Sequence, residues 1–106
     1  MGFLNFLQGP DINQGIKEYG KTAGAVLLDV RTVQEYREGH IPDSQNLPLQ
    51  SLEGISKIAG SKDTPLFVYC HSGSRSRQAV GALSRMGYTS VKNIGGIAAY
   101  SGKVVH

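Results

Sequence analysis

The stretch Leu66-Phe67-Val68-Tyr69-Cys70-His71-Ser72-Gly73-Ser74-Arg75-Ser76 runs from an unbroken apolar segment, through small and polar residues, into a helical pattern. Apolar residues without alternation mark a strand covered on both faces, as in a parallel sheet between helices. Beyond the cysteine, Ala79, Ala82, Leu83 and Met86 fall on one helical stripe, so residues 75 to 86 are expected to form an amphipathic helix closed by Gly87. Strand, loop and helix in that order put Cys70 at the carboxyl end of a strand and at the mouth of a helix. Ligands of open α/β sheets bind at that edge.

The alternation continues outward from this stretch. Ala25-Val26-Leu27-Leu28-Asp29-Val30 repeats the buried-strand signature, and the two segments are expected to be central. Asp11 is placed to cap a helix carrying Ile12, Ile16 and Tyr19 on one face and ending near Gly20. Thr32 is expected to cap a short helix through Val33 and Tyr36, with a turn at Gly39 to Pro42 and a brief extended segment near Gln45 to Leu47. Ser51 is the expected cap of a further helix with Leu52, Ile55 and Ile58 inward and Gly60 at its end. A last strand, Ser90 to Ile94, precedes Gly95-Gly96 and a short terminal helix. The expected architecture is a three-layer α/β sandwich, with a mostly parallel central sheet of about five strands flanked by helices. A chain of 106 residues suits one core, so residues 1–106 are expected to form a single domain.

Composition narrows the function classes. A hydrophobic fraction of 40% and a charged fraction of 18% fit a folded domain and exclude disordered and fibrous classes. The longest apolar stretch, from Ala23, is interrupted by Gly24 and stopped by Asp29, too short to span a membrane. The segment Met1 to Pro10 holds an apolar patch of Phe3, Leu4, Phe6 and Leu7, with no basic residues ahead of it and no small-residue cleavage site; a cytoplasmic location is expected. The one cysteine excludes an intrachain disulfide, a CxxC pair and a resolving thiol, so whatever Cys70 acquires must leave to another molecule. All eight acids lie at or before Asp63, where they face six cations. Residues 64 to 106 carry Arg75, Arg77, Arg85, Lys92 and Lys103 with no acid, a bias toward anionic ligands. Interleaved aromatics and a recognised nucleic-acid module are missing, so no nucleic-acid partner is expected. His40, His71 and His106 lack metal-ligand spacing, and no metal or cofactor is expected.

The chemistry rests on Cys70. A free thiol is only about 3% ionised at pH 7, but a thiol at a helix N-terminus or beside arginine is held as thiolate much further down. The unpaired N–H groups and dipole of the helix favour a negative charge at that point. Ser72, Gly73 and Ser74 are small enough for the backbone to curl and aim successive N–H groups inward. Arg75, with Arg77 beyond it, would attract an anionic substrate, and Ser76 offers a hydroxyl to the sulfur. His71 is read as facing solvent and tuning local charge, and His40 as fixing its turn. Asp29 and Arg31 are read as structural, with Arg31 pairing with Glu35 or Glu38. The tyrosines are read as packing residues with polar tips.

On these residues the chain resembles the single-domain rhodaneses, a sulfurtransferase family. The likeness runs from Leu28-Asp29-Val30-Arg31 through Glu35-Tyr36 and Gly39-His40-Ile41-Pro42 to Val68-Tyr69-Cys70 and Gly95-Gly96-Ile97. It implies that Cys70 takes sulfane sulfur from a small anionic donor such as thiosulfate, becomes a persulfide cradled by His71, Ser72, Gly73, Ser74, Arg75 and Ser76, and passes the sulfur to a thiol, either glutathione or a partner protein's cysteine. Four residues separate Cys70 from Arg75, as in sulfurtransferases of that family; related cysteine phosphatases have five. The alternatives are such a phosphatase or arsenate reductase, and a non-catalytic sulfur-carrier or regulatory module. Asp43-Ser44 after Pro42, where the family often has Gly-Ala, and Tyr100, where it often has Trp, depart from the pattern.

Overall fold

Leu66–Cys70 is buried at every position and forms β3, a central strand of the sheet in the computed structural model, which describes residues 9–106. The apolar patch of Phe3 to Leu7 lies outside the described residues. In chain order the elements are α1 (Ile12–Gly20), β1 (Val26–Asp29), α2 (Val33–Glu38), β2 (Gln45–Asn46), a 3-10 segment (Leu49–Lys57), β3, α3 (Ser74–Arg85), β4 (Val91–Gly96) and a 3-10 turn (Ile97–Ala99). The strands lie in the order β2-β1-β3-β4, every pair parallel. Among the described residues the sheet therefore has four strands where about five were expected. The chain's last extended residues make only an isolated antiparallel bridge, His40 to Val105.

Alternation along the buried strands feeds two cores. Leu28, Val30, Val68 and Cys70 face one layer with Leu52, Ile55, Ala79, Leu83 and Tyr88. Leu27, Phe67, Tyr69 and Ile94 face the other with Ile12 and Ile41. This two-sided burial is the reason both central strands lack polar alternation. Cys70 belongs to the layer that holds α3, so the strand register aims its sulfur toward that helix.

The caps follow the side-chain chemistry read above. The Asp11 carboxylate accepts from the amides of Asn13 and Gln14. Thr32 and Glu35 form a reciprocal capping box on α2. Gly87 has φ 103°, the left-handed conformation that ends α3 without strain. Asn13 also ties α1 to the chain's far end, its amide donating to the Ala99 carbonyl and its oxygen accepting from Ser101.

The segment expected as a helix capped by Ser51 is different. It begins earlier, at Leu49 behind Pro48, and is a 3-10 segment kinked at Ser51, which has φ −120° and ψ 24° and supplies no side-chain cap. Gly54 weakens an α-helix in its middle, and the segment is held by burial of Leu52 and Ile55 and not by its own ladder. Its apolar stripe was read correctly and its helix type was not.

Candidate active site

The active loop is set by backbone before any side chain acts. Gly73 stands at φ 105°, allowing the chain to reverse from β3 into α3. Beneath it, β4 ends in Gly95-Gly96, and a Cβ on Gly96 would lie inside the His71 carbonyl and 2.6 Å from Ser72 Cα. The loop therefore packs directly on glycine backbone. The His71 carbonyl also accepts from the Ala98 amide at 3.1 Å, tying the loop to the following 3-10 turn.

Cys70 is fully buried at the base of this loop. Its sulfur accepts from the Gly73 amide at 3.0 Å and lies 3.5 Å from the Ser76 hydroxyl. Burial alone would push the thiol up. The Ser76 hydroxyl, together with the amides of Ser76, Gly73 and Ser72, outweighs it and holds the thiol below its ordinary value. The sulfur thus draws on a subset of the donors expected from the loop, namely the amides of Ser72 and Gly73, plus that of Ser76 one turn on.

The remaining loop residues take distinct places. His71 and Ser72 are exposed, with Ser74 exposed at the start of α3 and Ser76 buried inside its first turn. His71 lies between two hollows. One, of about 420 Å³, also touches Arg31, Glu35 and Val104, and the other, of about 330 Å³, is walled by Ser72, Gly95 and Gly96. Both hollows are open spaces bordering His71, and the second also borders Ser72.

Arg75 departs from expectation. Instead of standing free toward an oxyanion, its guanidinium is held by Glu35 through two hydrogen bonds of 2.7 and 2.9 Å. Arg75 provides the strongest pull in lowering the Glu35 carboxyl to about 2, with the Thr32 amide and hydroxyl adding to it. The pair fastens α2 to the first turn of α3. It also removes Glu35 from Arg31, correcting the expected Arg31 pairing with Glu35 or Glu38. Arg31 binds Asp29 at 2.8 Å and the Gly39 carbonyl at 2.7 Å, inside the fold. The structural reading of Asp29 and Arg31 stands, with a different partner.

His40 keeps its expected turn role, with Nδ1 2.8 Å from the Tyr36 carbonyl oxygen and its ring stacked on Tyr36. Tyr69 packs as expected and adds a polar function: its hydroxyl accepts from the Ile41 amide and donates to Ser44, each at 3.1 Å. Arg77 is exposed on α3 and borders an open groove of about 750 Å³ with Ser74, Leu52 and Arg85.

Asn93 was missed by the sequence reading. Its Oδ1 accepts from Ser76 Oγ at 2.7 Å and from the Gly95 amide at 2.9 Å, and its Nδ2 donates to the Gly73 carbonyl at 3.3 Å. The signal available was an asparagine two residues before a glycine, a pattern that closes an Asx turn. Nothing in the chain order linked it to a loop twenty residues earlier.

The chain is similar to known proteins over most of its length. A family model described as a rhodanese-like domain matches residues 13–103. Thiosulfate sulfurtransferase PspE of Escherichia coli K12 is 39% identical over 71 residues, 66% of this chain and 68% of its own. A sulfurtransferase of Allochromatium vinosum is 40% identical over 100 residues, 92% of this chain and 89% of its own. The solved structure described as "rhodanese with anions from E. coli" superimposes with a TM-score of 0.72 at 35% identity, covering 76% of this chain and 96% of that one.

Proposed function

Because the chain belongs to the rhodanese-like domain family, we propose that its sulfurtransferase activity runs through a persulfide on Cys70. The thiolate attacks the outer sulfur of an anionic donor such as thiosulfate. A new sulfur–sulfur bond forms at Cys70, the donor's own sulfur–sulfur bond breaks, and sulfite leaves with the bonding pair. An acceptor thiolate then takes the terminal sulfur and restores the Cys70 thiolate. The single cysteine supports an acceptor outside the chain, either glutathione or a partner protein's cysteine.

The observation that carries this reading is the sulfur held by the Gly73 amide at 3.0 Å at the mouth of α3. Those donors stabilise the thiolate that attacks and the anion of the persulfide that results. His71, Ser72 and Ser74 form the exposed rim that meets donor and acceptor. Arg75, locked to Glu35, contributes positive charge beside the sulfur. The cytosol keeps thiols reduced, and an unpaired reactive cysteine in that setting supports a cytoplasmic location. Among the described residues no helix is long and apolar enough to cross a membrane. We also take residues 1–106 as one domain, a reading supported by the single sheet that carries both cores.

Intact mass spectrometry after exposure to thiosulfate tests the proposal. One added sulfur, removed by cyanide and absent from Cys70→Ser, is expected. An unmodified wild-type chain that instead turns over an aryl phosphate would overturn it in favour of a phosphatase.

A further inference from the structure

We propose that Asn93 is a positioning residue for the sulfur chemistry, holding Gly73, whose amide donates to Cys70, and taking the hydroxyl proton of Ser76, whose oxygen lies against the sulfur. The inference deepens the persulfide reading and rests on it. Among the described residues Asn93 has no hydrogen bond to the sulfur itself, so any influence passes through those two neighbours.

The sheet gives up regularity to place this side chain. β3 and β4 pair Val68 with Asn93 but Tyr69 with Gly95, so Ile94 is skipped and the register slips. Such a bulge re-aims a side chain relative to an unbroken ladder. Gly95 then adopts φ 107°, and its amide turns back onto Asn93 Oδ1 at 2.9 Å. The re-aimed carboxamide reaches the active loop.

There it meets two of the groups that contact the sulfur. Gly73 donates its amide to Cys70 at 3.0 Å while its carbonyl accepts from Asn93 at 3.3 Å, so this one residue is held between sulfur and carboxamide. Ser76 Oγ donates its one proton to Asn93 Oδ1 at 2.7 Å and so turns its oxygen toward the sulfur, 3.5 Å away. Every donor and acceptor atom of the carboxamide is engaged, and two of its three bonds go to the sulfur's own partners. The Gly73 carbonyl also accepts from the Arg77 amide at 3.1 Å and lies 3.0 Å from the Ser76 hydroxyl, so removing the carboxamide loosens one hold on Gly73 and lengthens its amide's bond to the anion.

The charged groups around the loop are Arg75 of α3 with Glu35 of α2, the Asp29–Arg31 pair at the end of β1, and His71 in the loop itself. Asn93→Ala changes none of them, so a shift in thiol ionisation in that variant reports on hydrogen bonding.

The experiment is the pH dependence of Cys70 alkylation by iodoacetamide, in the wild type, Asn93→Ala, Ser76→Ala and the double variant. In the Ser76→Ala background, where no hydroxyl proton is released toward the sulfur, Asn93→Ala is expected to raise the midpoint by about one pH unit, the worth of one hydrogen bond to a charged group. In the wild-type background the freed Ser76 hydroxyl turns to the anion and the rise is smaller, so the two substitutions do not add. A midpoint that Asn93→Ala leaves unchanged in the Ser76→Ala background, or a shift equal in the two backgrounds, would overturn the proposal. If Asn93→Ala does not fold, the neutral Asn93→Gln displaces the carboxamide without adding charge. Its midpoint must then rise in the Ser76→Ala background, and by less in the wild type. A wild-type thiol that alkylates like a free one would instead defeat the persulfide reading, so the two failures are distinguishable.

Discussion

Glu35 and Arg75, forty positions apart in the chain, meet in a two-pronged ion pair that locks α2 to the first turn of α3. Glu35 has a second duty, since its Oε1 also accepts from the Thr32 amide and hydroxyl in the capping box. One carboxylate therefore starts a helix and anchors the arginine of the active loop.

This coupling sets an acid dependence. The Glu35 carboxyl is held at about 2, chiefly by Arg75, against an ordinary value of 4.5. The ionised form is favoured in the folded state, so its contribution is complete above 4.5 and is lost as pH falls through about 2. Both side chains remain about 30% exposed, and solvent screening limits the pair to about 1 kcal/mol. Glu35→Gln is expected to flatten the fall in thermal midpoint between pH 4.5 and 2, measured by circular dichroism. A variant whose acid profile overlays the wild type would refute this.

Gly96 is the floor on which the loop lies. Gly96→Ala drives a methyl into the His71 and Ser72 backbone, which has no side-chain freedom with which to yield. A loss of about 1–3 kcal/mol in urea unfolding is expected, together with slower Cys70 alkylation as the loop lifts off β4. Unchanged alkylation in a destabilised variant would show that the loop's shape does not depend on this contact.

The Asp29–Arg31 pair is buried, with side-chain exposures of 0% and 6%. Asp29→Asn leaves the guanidinium enclosed with no counter-charge, at a cost of about 3 kcal/mol. Adding Arg31→Met should recover much of that loss, because the charge that lacked a partner is gone. A double variant as unstable as Asp29→Asn would mean that Arg31's bond to the Gly39 carbonyl, and not the charge balance, dominates.

Local chemistry in the chain order specified much of this molecule. Leu66 to Tyr69 could be read as a doubly covered strand because apolar residues without alternation leave no face for water. Asp11, Thr32 and Gly87 could be read as helix ends because their side chains, or the lack of one, act on backbone a few residues away. Cys70 could be placed at the mouth of α3 for the same reason, since a strand end, small residues and a helix start are contiguous.

What depended on distant neighbours required the fold. Arg75 turned out to be paired because the fold brings Glu35 of α2 to 2.7 Å from its guanidinium, and Arg31, though only two residues from Asp29, also needed the Gly39 carbonyl brought to it by the turn after α2. Asn93 reaches the loop only because a register slip between two parallel strands turns it there. Contiguous residues determine strands, caps and the placement of the cysteine, since those interactions are short in sequence. The partners of charged and amide groups come from whichever element lies alongside in space, and only tertiary packing selects among them.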